Sequence, residues 1–370
     1  MRVLIINAIL HTAEKGVISK MKSIKDTMIY DLCLGFKSKG CDVVLAAAED
    51  YKPICEEEYP FEVIFFKTSY KGIFQPAVLP LMPTLFRYIK ANKGNFDAII
   101  SSELFSICSL FAALISPEKT IIWQELGSHN RKMRKIPSKI WYNIITPLFM
   151  RKCTVACRSE IARSFVSKYH KNITEYIIGH GVNESIFIPK LIKNDNLIVI
   201  AQLIPRKNIY SIIEKFSLFI DTFPEYKKYK LYIAGRGPLE EKLKEEAKEL
   251  GKQDSIVFLG HILHDELNNY LSTAKCLLTN TCLDLNMVSI FEAVASATPV
   301  ITNLTPYSSY DIKSNNLGVA KNNWDENDIK EIIVNNEYYV NNCYNYRDNI
   351  TVTASVDKFI RIIAKYIIRK

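Results

Sequence analysis

Residues 196–208 read NLIVIAQLIPRKN, and this stretch decides the fold. An apolar run over Asn196–Ala201 has the length of a buried strand. It passes through a proline turn carrying Arg206 and Lys207 and enters an apolar-periodic helix over Tyr210–Phe223. A strand that hands on to a helix through a short turn is the repeating unit of a parallel sheet, because parallel neighbours need a crossover and a helix is the usual one. The alternation continues downstream. Strands at Tyr229–Ala234, Ser255–Leu259, Cys276–Thr279 and Pro299–Thr302 are separated by helices at Leu239–Leu250, at Glu266–Ser272 and through Glu292–Ser296.

The same rhythm runs upstream. Strands are expected at Val3–Ile9, Asp42–Ala47, Phe61–Phe66, Ala98–Ser101 and Thr120–Trp123. Helical stretches lie near Lys25–Ser38 and at Pro80–Lys90, Glu103–Ile115 and Ser138–Met150. A polar break at Lys190–Asn196 divides the two series. The expected architecture is therefore α/β: two doubly wound, Rossmann-like parallel-sheet domains, residues 1–190 and 191–350, with a helix over 351–370 packing back on the first. Ligands of such sheets sit at the carboxyl ends of the strands, here expected in a cleft between the domains.

Composition bounds the function. With 48% apolar and 24% charged residues over 370 positions, the chain can bury two cores and is neither disordered nor fibrous. Its apolar runs reach roughly ten residues, against the ~20 of a membrane span. No small-residue cleavage site follows Met1–Asn7, which reads as a strand and not a signal peptide. The nine cysteines are scattered and odd in number. Cys153 and Cys157 stand four apart with no second pair at zinc-ligand spacing, so reduced buried thiols of a cytoplasmic protein, and no metal, are expected.

The net charge of +9 is uneven. Residues 1–190 carry 26 Lys and Arg against 17 Asp and Glu, whereas residues 191–370 carry 22 of each. Eleven basic residues lie between Arg131 and Lys171 with one acid, Glu160, and the apolar stretch Trp141–Met150 sits among them. Such a segment suits either the inner face of an anionic membrane, contacted peripherally, or a core helix with a solvated basic face. No groove-reading motif accompanies the charge, which argues against nucleic acid.

Three stretches carry chemistry. In the turn Gln202–Asn208 a cation at a strand-to-helix junction meets the place where helix N-termini hold phosphates. Ile233–Leu239 contains Gly235-Arg236-Gly237-Pro238, which by itself is an ordinary tight turn. Asp284–Ala293 sets two carboxylates, Asp284 and Glu292, eight positions apart, and carboxylates accept hydrogen bonds from the paired hydroxyls of sugars and ribose.

Taken in order, these motifs resemble the donor-binding domain of the retaining GT-B glycosyltransferases of family four, which carry a glycosyl transferases group 1 domain. The Leu-x-Pro-Arg-Lys-Asn turn, the Gly-x-Gly-Pro turn, Val257–Gly260 and the carboxylate pair followed by Thr298-Pro299-Val300 stand in the family's order over about Asn196–Asn303. Ile178–Asn183, with Phe187 and Pro189, looks like the segment that closes the family's first domain; residues 1–190 match weakly otherwise. The resemblance implies GT-B architecture and a nucleotide-sugar donor as substrate, with no cofactor. It also implies a glycan or lipid-linked acceptor of bacterial capsule, lipopolysaccharide or exopolysaccharide. Lys207 would neutralise the departing diphosphate, Glu292 would bind ribose, and Asp284 would hold hydroxyls of the transferred sugar. Backbone amides of Met287, Val288 and Ser289 would approach sugar and phosphates. Glu125, or His129 just beyond it, would reach the donor sugar or the acceptor hydroxyl.

Departures accompany the match. Gln202 stands where the family has an arginine, removing a charge from the expected phosphate clamp. Asp284-Leu285-Asn286-Met287 replaces Glu-x-Phe-Gly, and the glycine pair after the first strand is reduced to Gly16. Two other readings stay open: a catalytically degenerate sugar-nucleotide binder of the same fold, and a sugar-nucleotide epimerase, which would need a paired acid and base not evident here.

Overall fold

The computed structural model describes residues 1–11, 13, 17–55, 57–130 and 135–368, the side chains of 26, 264, 265 and 368 excepted. Gly16 and the basic residues from Arg131 to Arg134 lie outside the described residues. The chain divides into two compact units, Met1–Gly181 with Val352–Lys370, and Val182–Thr351. The expected boundary near residue 190 falls at 181/182 because Val182 and Phe187 are buried in the core of the second unit.

Among the described residues, the first unit holds seven parallel strands: β1 (Arg2–Ile6), β2 (Asp42–Ala48), β3 (Glu62–Phe66), β4 (Ala98–Ser102), β5 (Thr120–Gln124), β6 (Thr154–Cys157) and β7 (Ile173–Ile177). Their order is β3-β2-β1-β4-β5-β6-β7. Val3–Ile6, Val43–Ala48 and Ile99–Ile100 are buried, as strands covered on both faces require. The C-terminal helix Val352–Ile362 packs into this core: Phe359 meets Phe36 at 5.9 Å and Trp123 at 5.5 Å between ring centroids.

Six parallel strands form the sheet of the second unit among the described residues: β8 (Asn196–Ile200), β9 (Lys230–Ala234), β10 (Ile256–Gly260), β11 (Cys276–Leu278), β12 (Val300–Thr302) and β13 (Gly318–Ala320), ordered β10-β9-β8-β11-β12-β13. This is the doubly wound order 3-2-1-4-5-6. The strand order reverses between β8 and β11, so the loops leaving those two strands diverge and open a crevice at their carboxyl ends.

Local chemistry explains where elements depart from the periodicity. The helix expected from Glu103 starts at Ile107, because Glu103 is left-handed (φ 69°) and Ser106 caps the helix by accepting from the Ser109 amide. The one expected from Pro80 starts at Pro83, where a missing N–H costs nothing. The stretch expected at Ser138–Met150 begins at Ile136 and widens into a helix with i→i+5 hydrogen bonding over Trp141–Met150. Strands β6, β7 and β13 were not among those expected from the sequence. No described helix is long and apolar enough to cross a membrane.

Candidate functional site

In the second unit, β8 ends at Ile200 and the chain turns through Pro205–Lys207 to Asn208, whose left-handed conformation (φ 51°) starts the helix Ile209–Thr222. Asparagine is among the residues that tolerate this region. The turn is held from one side by the loop after β9: Leu203 N donates to Arg236 O at 3.0 Å and Leu239 N to Leu203 O at 3.1 Å. Gly235 and Gly237 make this possible. A Cβ on Gly235 would stand 1.8 Å from Ala201 O, and one on Gly237 would stand 2.3 Å from Leu203 O. The glycine turn is thus a backbone fitting that fixes the cationic turn.

From the other side comes the loop after β11. Cys282 N donates to Arg206 O at 2.7 Å, and Asn303 Nδ2 holds Thr281 O at 2.7 Å. This loop presents Asp284. Lys207 Nζ donates to its Oδ2 at 2.8 Å and Arg206 to its Oδ1 at 2.5 Å, while the Thr281 hydroxyl lies 2.5 Å from Oδ2. Arg206 and Lys207 are neighbours in the turn. Both reach the same carboxylate, because the tight turn at Pro205 lets the two side chains converge.

Two cations and one anion leave a net positive charge at the switch point of the sheet. Beside it the helix Val288–Ala295 begins, and its first amides have no intrahelical acceptors. Val288 and Ser289 supply them. Met287 precedes them in an extended conformation (φ −90°, ψ 113°), so the absence of a glycine costs nothing in backbone geometry. A small recess lies here, with Ile200, Lys207, Leu278, Thr281 and Met287 in its wall. Glu292 is buried one turn into the same helix. Gln202 is exposed on the loop after β8.

Glu125 belongs to the first unit, at the end of β5, and the fold surrounds it with residues the sequence reading did not single out as partners. Arg158 donates to its carboxylate at 3.0 Å, and His180 Nε2 lies 3.4 Å away. Arg158 also lies 3.6 Å above the Trp123 ring, a cation–π contact. The carboxyl of Glu103 accepts from the amides of Glu125 and Leu126 at 2.7 and 3.3 Å. Burial pushes the Glu103 carboxyl up to about 7, with Glu125 adding to the rise and Arg158 opposing it. Each of these residues stands at or just past the carboxyl end of a parallel strand, or in the segment after β7. That placement is the signal by which they were findable.

His129 is a packing residue. Its ring is walled by Tyr142, Phe165 and Tyr169, and its nitrogens meet the hydroxyls of Ser138 and Tyr169, both at 3.2 Å. Burial and then Lys139, Lys135 and Lys168 lower its pKa.

Residues 183–342 match the family model described as Glycosyl transferases group 1. This stretch of the chain is thus similar in sequence to the group 1 domain. Arg206, Lys207, Asp284 and the helix at Val288 all lie within it. Alpha-monoglucosyldiacylglycerol synthase of Streptococcus pneumoniae is 30% identical over 169 residues, 41% of this chain and 38% of that protein. O-antigen chain mannosyltransferase RfbU of Salmonella typhimurium is 25% identical over 171 residues, 45% of this chain and 47% of the relative. Each match thus spans less than half of the relative's length. The fold likeness is broader. The crystal structure of Anabaena HepE in complex with UDP superposes with a TM-score of 0.68 over 98% of this chain and 100% of that one, at 11% identity. The chain therefore has the fold of GT-B proteins in both units, and sequence similarity that marks the group 1 domain.

Proposed function

We propose that the protein is a retaining glycosyltransferase of hexosyl type. It moves a sugar from a nucleotide-diphosphate donor to a glycan or lipid-linked acceptor in bacterial surface polysaccharide or glycolipid synthesis, at the inner face of the membrane. The observation that carries this reading is the convergence of Arg206 and Lys207 at the carboxyl ends of β8 and β11, inside the group 1 domain. Breaking the bond between C1 of the sugar and the phosphate oxygen leaves negative charge on the diphosphate. Fixed cations and helix amides aimed at that charge are the main electrostatic means of lowering such a barrier. The acceptor oxygen bonds to C1 on the face the phosphate leaves, and its proton passes to the departing phosphate oxygen. No strong side-chain base is needed, and Arg206 with Lys207 supply positive charge that a metal supplies elsewhere. Glu292 takes the ribose hydroxyls, the amides of Val288 and Ser289 the phosphates, and Asp284 the sugar once the donor's own charge satisfies its cations. Glu125, held by Arg158 and His180 in the first unit, is the residue assigned to the donor sugar or the acceptor hydroxyl.

The relatives' names support the substrate classes: one makes a glucosylated diacylglycerol and the other is an O-antigen mannosyltransferase. HepE, of the same fold, was solved with UDP. Gln202 favours a second reading, a degenerate binder, since an exposed amide replaces a charged clamp residue. Thermal shift against a panel of nucleoside diphosphates and sugar nucleotides tests donor binding, because a ligand of the native state alone raises apparent stability. Release of free nucleotide with acceptor present then separates the two readings. If no nucleotide shifts the melt, both fall.

A further inference from the structure

The neighbouring strands β4, β5, β6 and β7 of the first unit bring Glu103, Glu125, Arg158 and His180 together, and Glu125 is fixed twice over. Its backbone is fixed from β4. Glu103 stands just past that strand in a left-handed conformation (φ 69°), which a side chain of this size adopts where its surroundings hold it. Its carboxyl accepts from the Glu125 and Leu126 amides, and in return Gln124 Oε1 accepts from the Leu104 amide at 2.8 Å. The exit loops of β4 and β5 are thus joined by reciprocal side-chain bonds.

The side chain of Glu125 is fixed from β6 and the segment after β7. Arg158 Nη1 donates to Glu125 Oε2 at 3.0 Å and lies 3.2 Å from His180 Nδ1. A guanidinium has no acceptor, so it bonds to Nδ1 only when that nitrogen is bare. The ring's proton is then on Nε2, which lies 3.4 Å from Glu125 Oε1 and donates to it. Both carboxylate oxygens of Glu125 thereby accept from the pair. Trp123, 2% exposed, forms the floor. Its ring carries the guanidinium at 3.6 Å and meets the His180 ring edge-on at 6.0 Å, while its Nε1 donates to Ile178 O at 2.8 Å.

Packing alone does not account for this arrangement. The side chains of Arg158 and His180 are 8% exposed and that of Glu125 24%. A buried ion pair commonly stabilises no better than apolar side chains of similar volume. The carboxyl ends of parallel strands, where these groups gather, are where such sheets meet ligands. We propose that Arg158 and His180 are positioning residues. Arg158 sets the His180 tautomer, and the two together aim the Glu125 carboxylate as the acceptor of a sugar hydroxyl's hydrogen bond. This rests on the reading that Glu125 meets the donor sugar or the acceptor hydroxyl. A carboxylate held from two sides offers that hydroxyl one direction of approach, which is how a reacting group is kept in line.

The tautomer is tested without any turnover. Imidazole nitrogen NMR of the full chain, with the His180 signals assigned by their loss in His180→Gln, should show a protonated Nε2 and a bare Nδ1. In Arg158→Met the ring should exchange between tautomers. A parent with Nδ1 protonated, or a tautomer unchanged in Arg158→Met, overturns the proposal. Kinetics tests the positioning. Arg158→Met and His180→Leu should each lower kcat at least about tenfold. Nucleoside-diphosphate affinity should stay as it is, since the cationic turn belongs to the other unit. His180→Gln, whose carboxamide accepts from Arg158 and donates to Glu125, should recover most of the loss. Arg158→Met combined with Glu125→Gln should be no slower than Glu125→Gln alone, because the effect of Arg158 passes through Glu125. Losses that multiply in the double variant assign Arg158 to packing and overturn the proposal. A slow Glu125→Gln beside a fully active Arg158→Met overturns the proposal alone, whereas a fully active Glu125→Gln overturns the reading of Glu125 as well.

Discussion

Lys207 Nζ and Asp284 Oδ2 lie 2.8 Å apart although 77 residues separate them in sequence. The pair is largely buried, with side chains 12% and 13% exposed, and Arg206 completes it from the other carboxylate oxygen. The carboxylate thus pairs with both cations of the turn, the cations that the proposed function assigns to the donor diphosphate. On that reading Asp284 both orders the cationic turn and competes with the diphosphate for it.

Replacing Asp284 by Ala tests that dual position. Two cations lose their counter-charge, so calorimetric affinity for a nucleoside diphosphate should hold or rise several-fold. Transfer from the intact donor should fall at least about a hundredfold, the scale of one lost electrostatic contact at the reacting centre. Transfer at the parent's rate would mean that Asp284 is not the sugar ligand.

Lys207→Ala should lower transfer at least about a hundredfold and weaken the diphosphate as well. Arg206 remains to pair with Asp284, so the fold should survive, as a circular dichroism melt can check. Glu292→Gln keeps the shape of a buried side chain while removing the charge proposed to receive ribose hydroxyls, and should lower transfer to a similar degree. Near-normal turnover in either variant places the donor site elsewhere.

Gln202 is exposed, so Gln202→Arg is tolerated structurally. It should change the transfer rate by less than about tenfold, an exposed charge contributing little in water, and leave the order of donor preference as it is. If the parent turns over no donor while this variant does, the protein is a degenerate binder.

Glu103 predicts a pH dependence of stability. Its folded carboxyl is raised to about 7 against an ordinary 4.5, chiefly by burial, with Arg158 opposing and Glu125 adding. The folded state thus holds a proton that the unfolded state gives up. This contribution is fully present below about 4.5 and is lost as pH rises through about 7. Glu103→Gln lacks the titration, so its melting temperature relative to the parent should climb between pH 5 and pH 8. A gap that stays constant across that range would place the Glu103 carboxyl at its ordinary pKa. Because this carboxyl holds the amides of Glu125 and Leu126, the same variant reports on the loop that positions Glu125.

Much of the architecture was legible in residues 196–208 and their echoes. Strand-to-helix alternation dictates a parallel sheet, because that connection needs a crossover, and the proline turn marked where a cation would stand. Pattern also singled out Asp284 and Glu292 as candidates, since a loop carboxylate and a helix carboxylate leave a signature in spacing. What pattern does not encode is strand order and register, and these decide who meets whom. The order β10-β9-β8-β11 brings the loops bearing Arg206 and Asp284 together across 78 positions. The order β4-β5-β6-β7 does the same for Glu103, Glu125, Arg158 and His180. Which face of residues 136–150 is buried was equally a tertiary decision. The widened turns, and the Leu104 carbonyl that takes the Trp141 N–H, turn the tryptophan inward and leave four aliphatic side chains outside. Local propensity determined the elements of this protein, and the non-local pairing of its strands determined its site.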